Sequence, residues 1–295
     1  MDGINYCRNI VFDKIFCVIN IDKKIKEEGT ETRVDILKAI EKVSESRKER
    51  AFLVGGIVRD LVLGVKNKDI DIVVEGDGIE FALELKEMLK ARKIIIYKKF
   101  KTAMILVDEN LKLDIASSRV EYYEYPGALP IVEYGSIRDD MYRRDFTINA
   151  MALEIARSNI GELVDFYSGY EDISNKKIRV LHDLSFVEDP TRIIRAFRFA
   201  VRYEFDLERD TKILLKNAIS DGFLRKISWD RLKQELVILF SDKNLIKGMA
   251  YLEKYNVFTE INFNIKYDLK MKESIEKLEE LKELLKFVGV KKWLM

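Results

Sequence analysis

The stretch Lys68-Asp69-Ile70-Asp71-Ile72-Val73-Val74-Glu75 constrains this chain most. It reads as a short buried strand with carboxylates at alternate positions. Side chains alternate faces along a strand, so Asp69 and Asp71 are expected on one face while Ile70 and Ile72 point into the core. Two neighbouring carboxylates repel, and one would ordinarily keep its proton; a divalent cation removes the conflict. Upstream, Phe52-Leu53-Val54-Gly55-Gly56-Ile57-Val58-Arg59-Asp60 reads as a strand, a tight glycine turn and the start of a helix, with Gly64 as its C-cap. Glycines let backbone amides approach a phosphate closely, and a helix N-terminus favours negative charge. A phosphate cradle followed by an acidic pair points to phosphoryl or nucleotidyl transfer with Mg2+.

A second constellation runs from Glu188 to Arg202. Pro190 suits a first helical turn, which leaves Asp189 as an N-cap. Arg192, Arg195, Arg198 and Arg202 follow at helical spacing and share one face. Four guanidinium groups in a row need an anion, such as a triphosphate or an RNA backbone, or else acidic partners such as Glu204 and Glu208 on a solvated face. Asp189 with Arg192 also suits base reading. The pairing edges of cytosine and adenine each show an amine donor beside a ring-nitrogen acceptor, which a carboxylate plus a guanidinium matches; uracil and guanine do not fit.

The remaining chain supplies context. Thr32 to Arg47 is an amphipathic helix, Gly78 to Lys90 a helix, and Lys93–Tyr97, Thr102–Val107 and Leu111–Ser117 three strands of one sheet. Ile10 to Ile21 is strand-like. Arg119 to Tyr134, with Pro126-Gly127 and several tyrosines, reads as a mobile loop; Tyr122, Tyr123 and Tyr125 suit either RNA stacking or loop packing. Gly161 to Ile178 is turn-rich, and from Asp189 onward the chain is helical, ending in an apolar pattern over Ser274 to Phe287. Asp114 is placed as a third metal ligand or a structural acid, Glu188 as a buttress of the helix start and His182 as a loop residue. Arg231 and Glu235 read as an i, i+4 pair.

With 52 Lys+Arg against 51 Asp+Glu, the chain is no bulk polyanion binder, so any nucleic-acid surface must come from local asymmetry. Cys7 and Cys17 match no zinc spacing and His182 is the only histidine, which argues against a Cys/His zinc site and a histidine-based triad. No apolar run reaches bilayer length and no signal peptide is visible, so a cytoplasmic protein is expected.

Several blocks, in order, resemble the class II tRNA nucleotidyltransferase and bacterial poly(A) polymerase family. They are Gly55-Gly56-Ile57-Val58-Arg59-Asp60, Asp69-Ile70-Asp71, Arg143-Arg144-Asp145-Phe146-Thr147-Ile148-Asn149-Ala150, Asp165 with Gly169 and Asp172, Glu188-Asp189-Pro190-Thr191-Arg192 through Arg198, and Arg231-Leu232-Lys233-Gln234-Glu235-Leu236. The resemblance covers roughly residues 50 to 240. It implies an α+β fold: a nucleotidyltransferase head with a mixed β-sheet and helices, followed by an all-α neck and body. The expected division is 1–46 as N-terminal extension and helix, 47–156 as head, 157–240 as helical neck and 241–295 as body fragment. Family members run longer, so the tail that grips tRNA is expected to be short or missing here.

The resemblance also implies that Asp69 and Asp71 are catalytic and bind Mg2+. Gly55, Gly56, Arg59 and Arg144 would hold the triphosphate, Asp189 and Arg192 would read the base, and Arg195 and Arg198 would support nucleotide or phosphate. The implied reaction is attack of a tRNA 3′ hydroxyl on the α-phosphate of CTP or ATP, releasing pyrophosphate. The blocks do not separate CCA, CC or A addition from poly(A) synthesis. A catalytically silent RNA-binding protein and a small-molecule nucleotidyltransferase are the readings from other classes; the intact acids weigh against the first and the Asp189–Arg192 face against the second.

Overall fold

Strand β2 (Ile70–Glu75) sits in the middle of a seven-stranded sheet, and both of its faces are covered. In the computed structural model, residues 30–65, 67, 69–109, 111–155, 162–241, 244–261, 270 and 272–277 are described. The strand-like run 10–21 and most of the helix expected over 274–287 lie outside them. Contacts divide the chain into two units: residues 1–124 with 130–181, and residues 125–129 with 182–295.

In the first unit, helix α1 (Thr30–Arg47) leads into β1 (Arg50–Val54), α2 (Gly56–Leu63), β2 and α3 (Gly78–Met88). Strands β3 (Lys93–Tyr97), β4 (Thr102–Leu106) and β5 (Lys112–Ser117) follow at nearly the positions that periodicity predicts. After them come β6 (Arg119–Tyr122), β7 (Ile131–Tyr134), α4 (Ile137–Tyr142), β8 (Met151–Glu154), β9 (Glu162–Asp165) and α5 (Gly169–Ser174). The sheet order is β3-β4-β5-β2-β1-β8-β9. Only β2 and β5 run parallel; the other neighbours are antiparallel. The fold is therefore the mixed α+β arrangement expected.

Helices cover both faces of the sheet's centre, which is why β2 is a nearly continuous apolar run. On one face α3 packs over β2, β4 and β5, and α1 packs on α3. Ile36, Ile40 and Val43 of α1 and Phe81, Ala82 and Leu85 of α3 are buried there at helical spacing. On the other face Phe52, Val54 and Val73 pack with Ile137 and Met141 of α4 and with Ala150 and Ala152. The stretch expected to be a loop, Arg119 to Tyr134, begins and ends in the two arms of an antiparallel ribbon, with Arg119 opposite Tyr134 and Tyr122 opposite Ile131, and is loop between them.

The second unit is helical: α6 (Ser185–Glu188), α7 (Thr191–Tyr203), α8 (Arg209–Ser220), α9 (Trp229–Phe240), α10 (Leu245–Lys254) and α11 (Val257–Glu260). Helices α9 and α10 pack on α7. Ile193, Ile194, Ala196, Phe197, Ala200 and Val201 of α7 are buried. The Phe197 ring lies 5.3 Å from Tyr251 and 5.1 Å from Tyr255, so aromatic contacts fix this packing.

Candidate active site

The glycine turn sits where β1 ends. Gly55 has φ 71° and ψ −128°, a conformation that side chains strain. A Cβ built there would lie 2.7 Å from Arg144 Nη1. Glycine is thus required both by the backbone and by the guanidinium lying over it. Helix α2 starts at Gly56 and ends at Gly64, a left-handed C-cap at φ 70°, as its spacing predicts.

Asp71 lies in β2 on the same parity as Val73, so its carboxyl emerges on the α4 side of the sheet, beyond the apolar cluster that holds Val73. Asp114 of β5 is its register partner. Asp69 precedes the strand and is exposed, while Ile70 and Ile72 are buried, as alternation predicts. Burial pushes the Asp71 carboxyl up; Arg144 opposes this, and the neighbouring Asp114 and Asp69 reinforce it. Lys112 Nζ stands 3.6 Å from Asp69 Oδ1 and 3.4 Å from Asp114 Oδ2.

Among the described residues no three His, Cys, Asp or Glu side chains gather into a closed metal cage. One half-buried carboxylate held up in pKa, with an exposed one beside it, is an oxygen-only donor set. It suits a hard divalent cation that keeps other oxygen ligands, as magnesium does at phosphate sites.

A buried polar network underlies the turn and the acids. Arg59 is only 5 % exposed. Its Nε donates to Asp60 Oδ1 at 2.9 Å and its Nη1 to Asn149 Oδ1 at 2.5 Å. Asn149 Nδ2 donates to Asp145 Oδ1 at 2.9 Å. On the other side Asn67 Nδ2 donates to Asp60 Oδ2 at 2.7 Å, and Asn67 Oδ1 accepts from the Asp69 amide at 2.8 Å. A continuous chain of hydrogen bonds therefore runs from Asp145 to the backbone of Asp69. The sequence assigned no role to Asn67, Asp60 or Asn149; Asp60 and Asn149 stood out only as polar members of the family blocks, and Asn67, in the polar run Lys66-Asn67-Lys68-Asp69, gave no signal.

Arg144 is held from one side. Its Nη2 bonds to Asp140 Oδ2 at 2.9 Å, and its Nη1 lies 3.5 Å from the Asn149 carbonyl and over Gly55. Burial pushes the Asp140 carboxyl up, but Arg143 and Arg144 outweigh it and hold the group below the usual carboxylate range. Arg143 also reaches Glu121 at 2.9 Å. Asp165 accepts from the Gly169 and Tyr170 amides, both at 2.9 Å, and Asp172 from Thr147 Oγ1 at 2.6 Å, so these two block residues are structural.

In the helical unit Pro190 takes the N-cap position of α7, one residue later than expected. The Asp189 carboxylate still does the capping work, accepting from the Thr191 amide at 3.1 Å and Oγ1 at 2.6 Å. Arg192 is 4 % exposed and donates to Ser185 Oγ at 2.7 Å. The expected Arg231–Glu235 pair is replaced by pairs across helices. Arg231 Nη2 reaches Asp189 Oδ1 at 2.9 Å and its Nη1 the Gly127 carbonyl at 2.8 Å. Glu235 sits between Arg195, at 3.3 Å, and Arg198, at 3.2 Å. Glu235 thus faces α7, and Arg231 the turn that leads into it.

Glu204 bonds Lys247 at 2.8 Å, and Glu208 caps α8. His182 lies in a loop, 3.5 Å from Glu188; burial, then Arg192, lower its pKa to about 4. Tyr122 and Tyr125 are exposed, and Tyr123 donates to Glu121 at 3.0 Å.

The sheet and helices of this chain form a nucleotidyltransferase fold. Residues 51–179 match the family model described as the poly A polymerase head domain. An A-adding tRNA nucleotidyltransferase of Geobacter sulfurreducens is 47% identical over 216 residues, 73% of this chain and 24% of that protein. One from Aquifex aeolicus is 40% identical over 238 residues, 80% of this chain and 28% of that protein. A solved tRNA-processing enzyme in its apo form superposes with TM-score 0.80 at 34% identity, covering 90% of this chain and 68% of that one. The Thermotoga maritima CCA-adding enzyme, solved with tRNA, gives TM-score 0.72 at 40% identity, covering 82% and 55%.

The chain belongs to the tRNA nucleotidyltransferase and poly(A) polymerase family. It spans about a quarter of the length of the two curated relatives. Nucleotidyltransferases of this family are metal-dependent, in keeping with the acidic donor set. Among the described residues no helix is long and apolar enough to cross a membrane.

Proposed function

We propose that this chain is a template-independent tRNA nucleotidyltransferase, adding nucleotides to the tRNA 3′ end from CTP or ATP with release of pyrophosphate. Addition of the terminal A is the step we assign to it first, because the relatives at 47% and 40% identity are named A-adding enzymes. The observation that carries the reading is the half-buried Asp71 beside Asp69 and Asp114, with Arg144 lying over Gly55. We place the enzyme in the cytoplasm and keep the division into extension, head, neck and body at 1–46, 47–156, 157–240 and 241–295.

Asp69 and Asp71 would hold Mg2+, which when bound lowers the pKa of an attacking hydroxyl and offsets charge on the departing pyrophosphate. Arg144, aimed over Gly55, offers a guanidinium to the triphosphate, and the first amides of α2 at Gly56 point the same way. Arg59 acts through Asp60 and Asn149, setting the glycine turn rather than gripping phosphate. In the helical unit Asp189 supplies an acceptor and Arg192 donors for the pairing edge of C or A. Arg195 and Arg198, already drawn to Glu235, support phosphate.

The test is incubation with tRNA transcripts ending before CCA, after the first C and after CC, each with one nucleoside triphosphate. ATP incorporation confined to the CC-ending tRNA supports A addition. CTP incorporation into the shorter transcripts would extend the activity to CC or CCA, and unlimited A tailing would make it a poly(A) polymerase. Incorporation of neither nucleotide ends the proposal.

A further inference from the structure

A cluster of aromatic rings with one arginine lies on the surface of the first unit, outside every residue assigned above. The Tyr142 and Tyr167 rings stand 5.9 Å apart, and Phe166 meets Tyr167 edge-on at 6.2 Å. The Arg138 guanidinium lies over Phe166 at 5.4 Å, and Tyr167 Oη donates to the Arg138 carbonyl at 3.3 Å. Tyr167 anchors the group by packing on the core below α4. Tyr142 and Phe166, however, remain 48% and 41% exposed. Arg138 is exposed, with the Asp139 carboxylate the neighbouring charge it acts on.

Topology places this cluster relative to the acids. Asp165, just before Phe166, pairs with Met151, and the Met151 carbonyl accepts from the Gly55 amide at 3.4 Å. Phe166 therefore leaves the sheet at the same edge as the glycine turn. Val73, two residues along from Asp71 on one strand face, belongs to the same apolar cluster that Tyr167 packs on. The rings and the Asp71 carboxyl thus share a sheet face, with β1 and β8 between β2 and β9. Three strand spacings make roughly 14 Å. That is about four stacked nucleotides at a rise of about 3.4 Å each.

We propose that Tyr142, Phe166 and Arg138 form a stacking platform for the single-stranded 3′ end of the RNA substrate, holding bases a few nucleotides behind the reacting hydroxyl. Exposed rings take unstacked bases irrespective of sequence, and a neighbouring guanidinium meets the phosphate between them. The inference rests on the proposed RNA substrate.

The experiment measures KM for a CC-ending tRNA transcript and for ATP in the wild type and in Tyr142→Ala, Phe166→Ala, Phe166→Leu and Phe166→Trp. Stacking predicts KM for the tRNA about tenfold higher in the alanine variants and in Phe166→Leu, and near wild type in Phe166→Trp, with KM for ATP unchanged throughout. Added tRNA should also quench the fluorescence of the introduced tryptophan more than that of the wild type. Recovery by leucine as full as by tryptophan reduces the cluster to packing and overturns the platform. So does an unchanged KM for tRNA in every variant. A wild type that extends no tRNA refutes the substrate itself, a different failure from an active wild type with indifferent variants.

Discussion

Gly55→Ala and Gly64→Ala make a matched pair, because both glycines have φ near +70° yet differ in what a Cβ would meet. At Gly64 the added carbon has nothing within 4 Å, so the cost is the left-handed backbone alone, about 1 kcal/mol. At Gly55 the backbone conformation costs about 1–3 kcal/mol. The carbon would also stand 2.7 Å from Arg144 Nη1 and push the guanidinium off Asp140. Loss of that charged hydrogen bond adds about 1.5–3 kcal/mol. Gly55→Ala should therefore destabilise by about 2.5–6 kcal/mol against about 1 for Gly64→Ala, read from urea midpoints at unchanged m-value. Nucleotide incorporation should fall by about a hundredfold in Gly55→Ala, since a misplaced binding group costs that much, and should persist in Gly64→Ala. Adding Arg144→Ala to Gly55→Ala removes the clash, so the two losses should be markedly non-additive. Equal stability and activity in the two single variants would refute the claim that Arg144 occupies the space above Gly55.

Asp71→Asn should melt no lower than the wild type in EDTA at neutral pH. The Asp71 carboxyl is pushed above its ordinary value of 3.8, chiefly by burial, so the folded chain binds that proton more tightly than the unfolded one. Its contribution to metal-free stability is full below about pH 3.8 and is lost as pH rises through the higher folded value. Asparagine removes that loss. Magnesium should then raise the melting temperature of the wild type alone, and an equal rise in the variant would contradict the ligand assignment.

Asn149→Leu should cost about 3–6 kcal/mol by chemical denaturation, because the buried charges of Arg59 and Asp145 each lose the amide they are hydrogen-bonded to; under 1 kcal/mol would show the network to be dispensable. Glu235→Gln should cost about 2–3 kcal/mol, as Arg195 and Arg198 lose their shared counter-charge. Inorganic tripolyphosphate should raise the melting temperature of that variant more than the wild type's, and an equal shift would argue against these arginines as a phosphate site.

Much of the fold was legible because it rests on local chemistry. Alternation fixed β2 and the burial of Ile70 and Ile72, and three strand runs appeared where their apolar residues lie. The ribbon from Arg119 to Tyr134 was missed because Pro126-Gly127 and the tyrosines dominate its composition. Its strand signal, Val120 with Ile131 and Val132, becomes visible only when the two arms pair. Arg59 stands beside the glycine turn, its Nη2 3.4 Å from where a Cβ on Gly56 would lie, but its buried partner Asn149, 90 residues away, had no signal in the spacing.

The order and spacing of glycines and acids along the chain sufficed for the turn at Gly55, the cap at Gly64 and the acids at Asp69 and Asp71. Periodicity and backbone preference act over a few residues, so one chain segment is enough to read them. Folding in three dimensions set the partners of charges far apart along the chain: Glu235 for two arginines of α7, Arg231 for Asp189, Asn149 for Arg59. Coulomb attraction falls with distance through space, and the chain's path brings together groups that no spacing along the sequence relates.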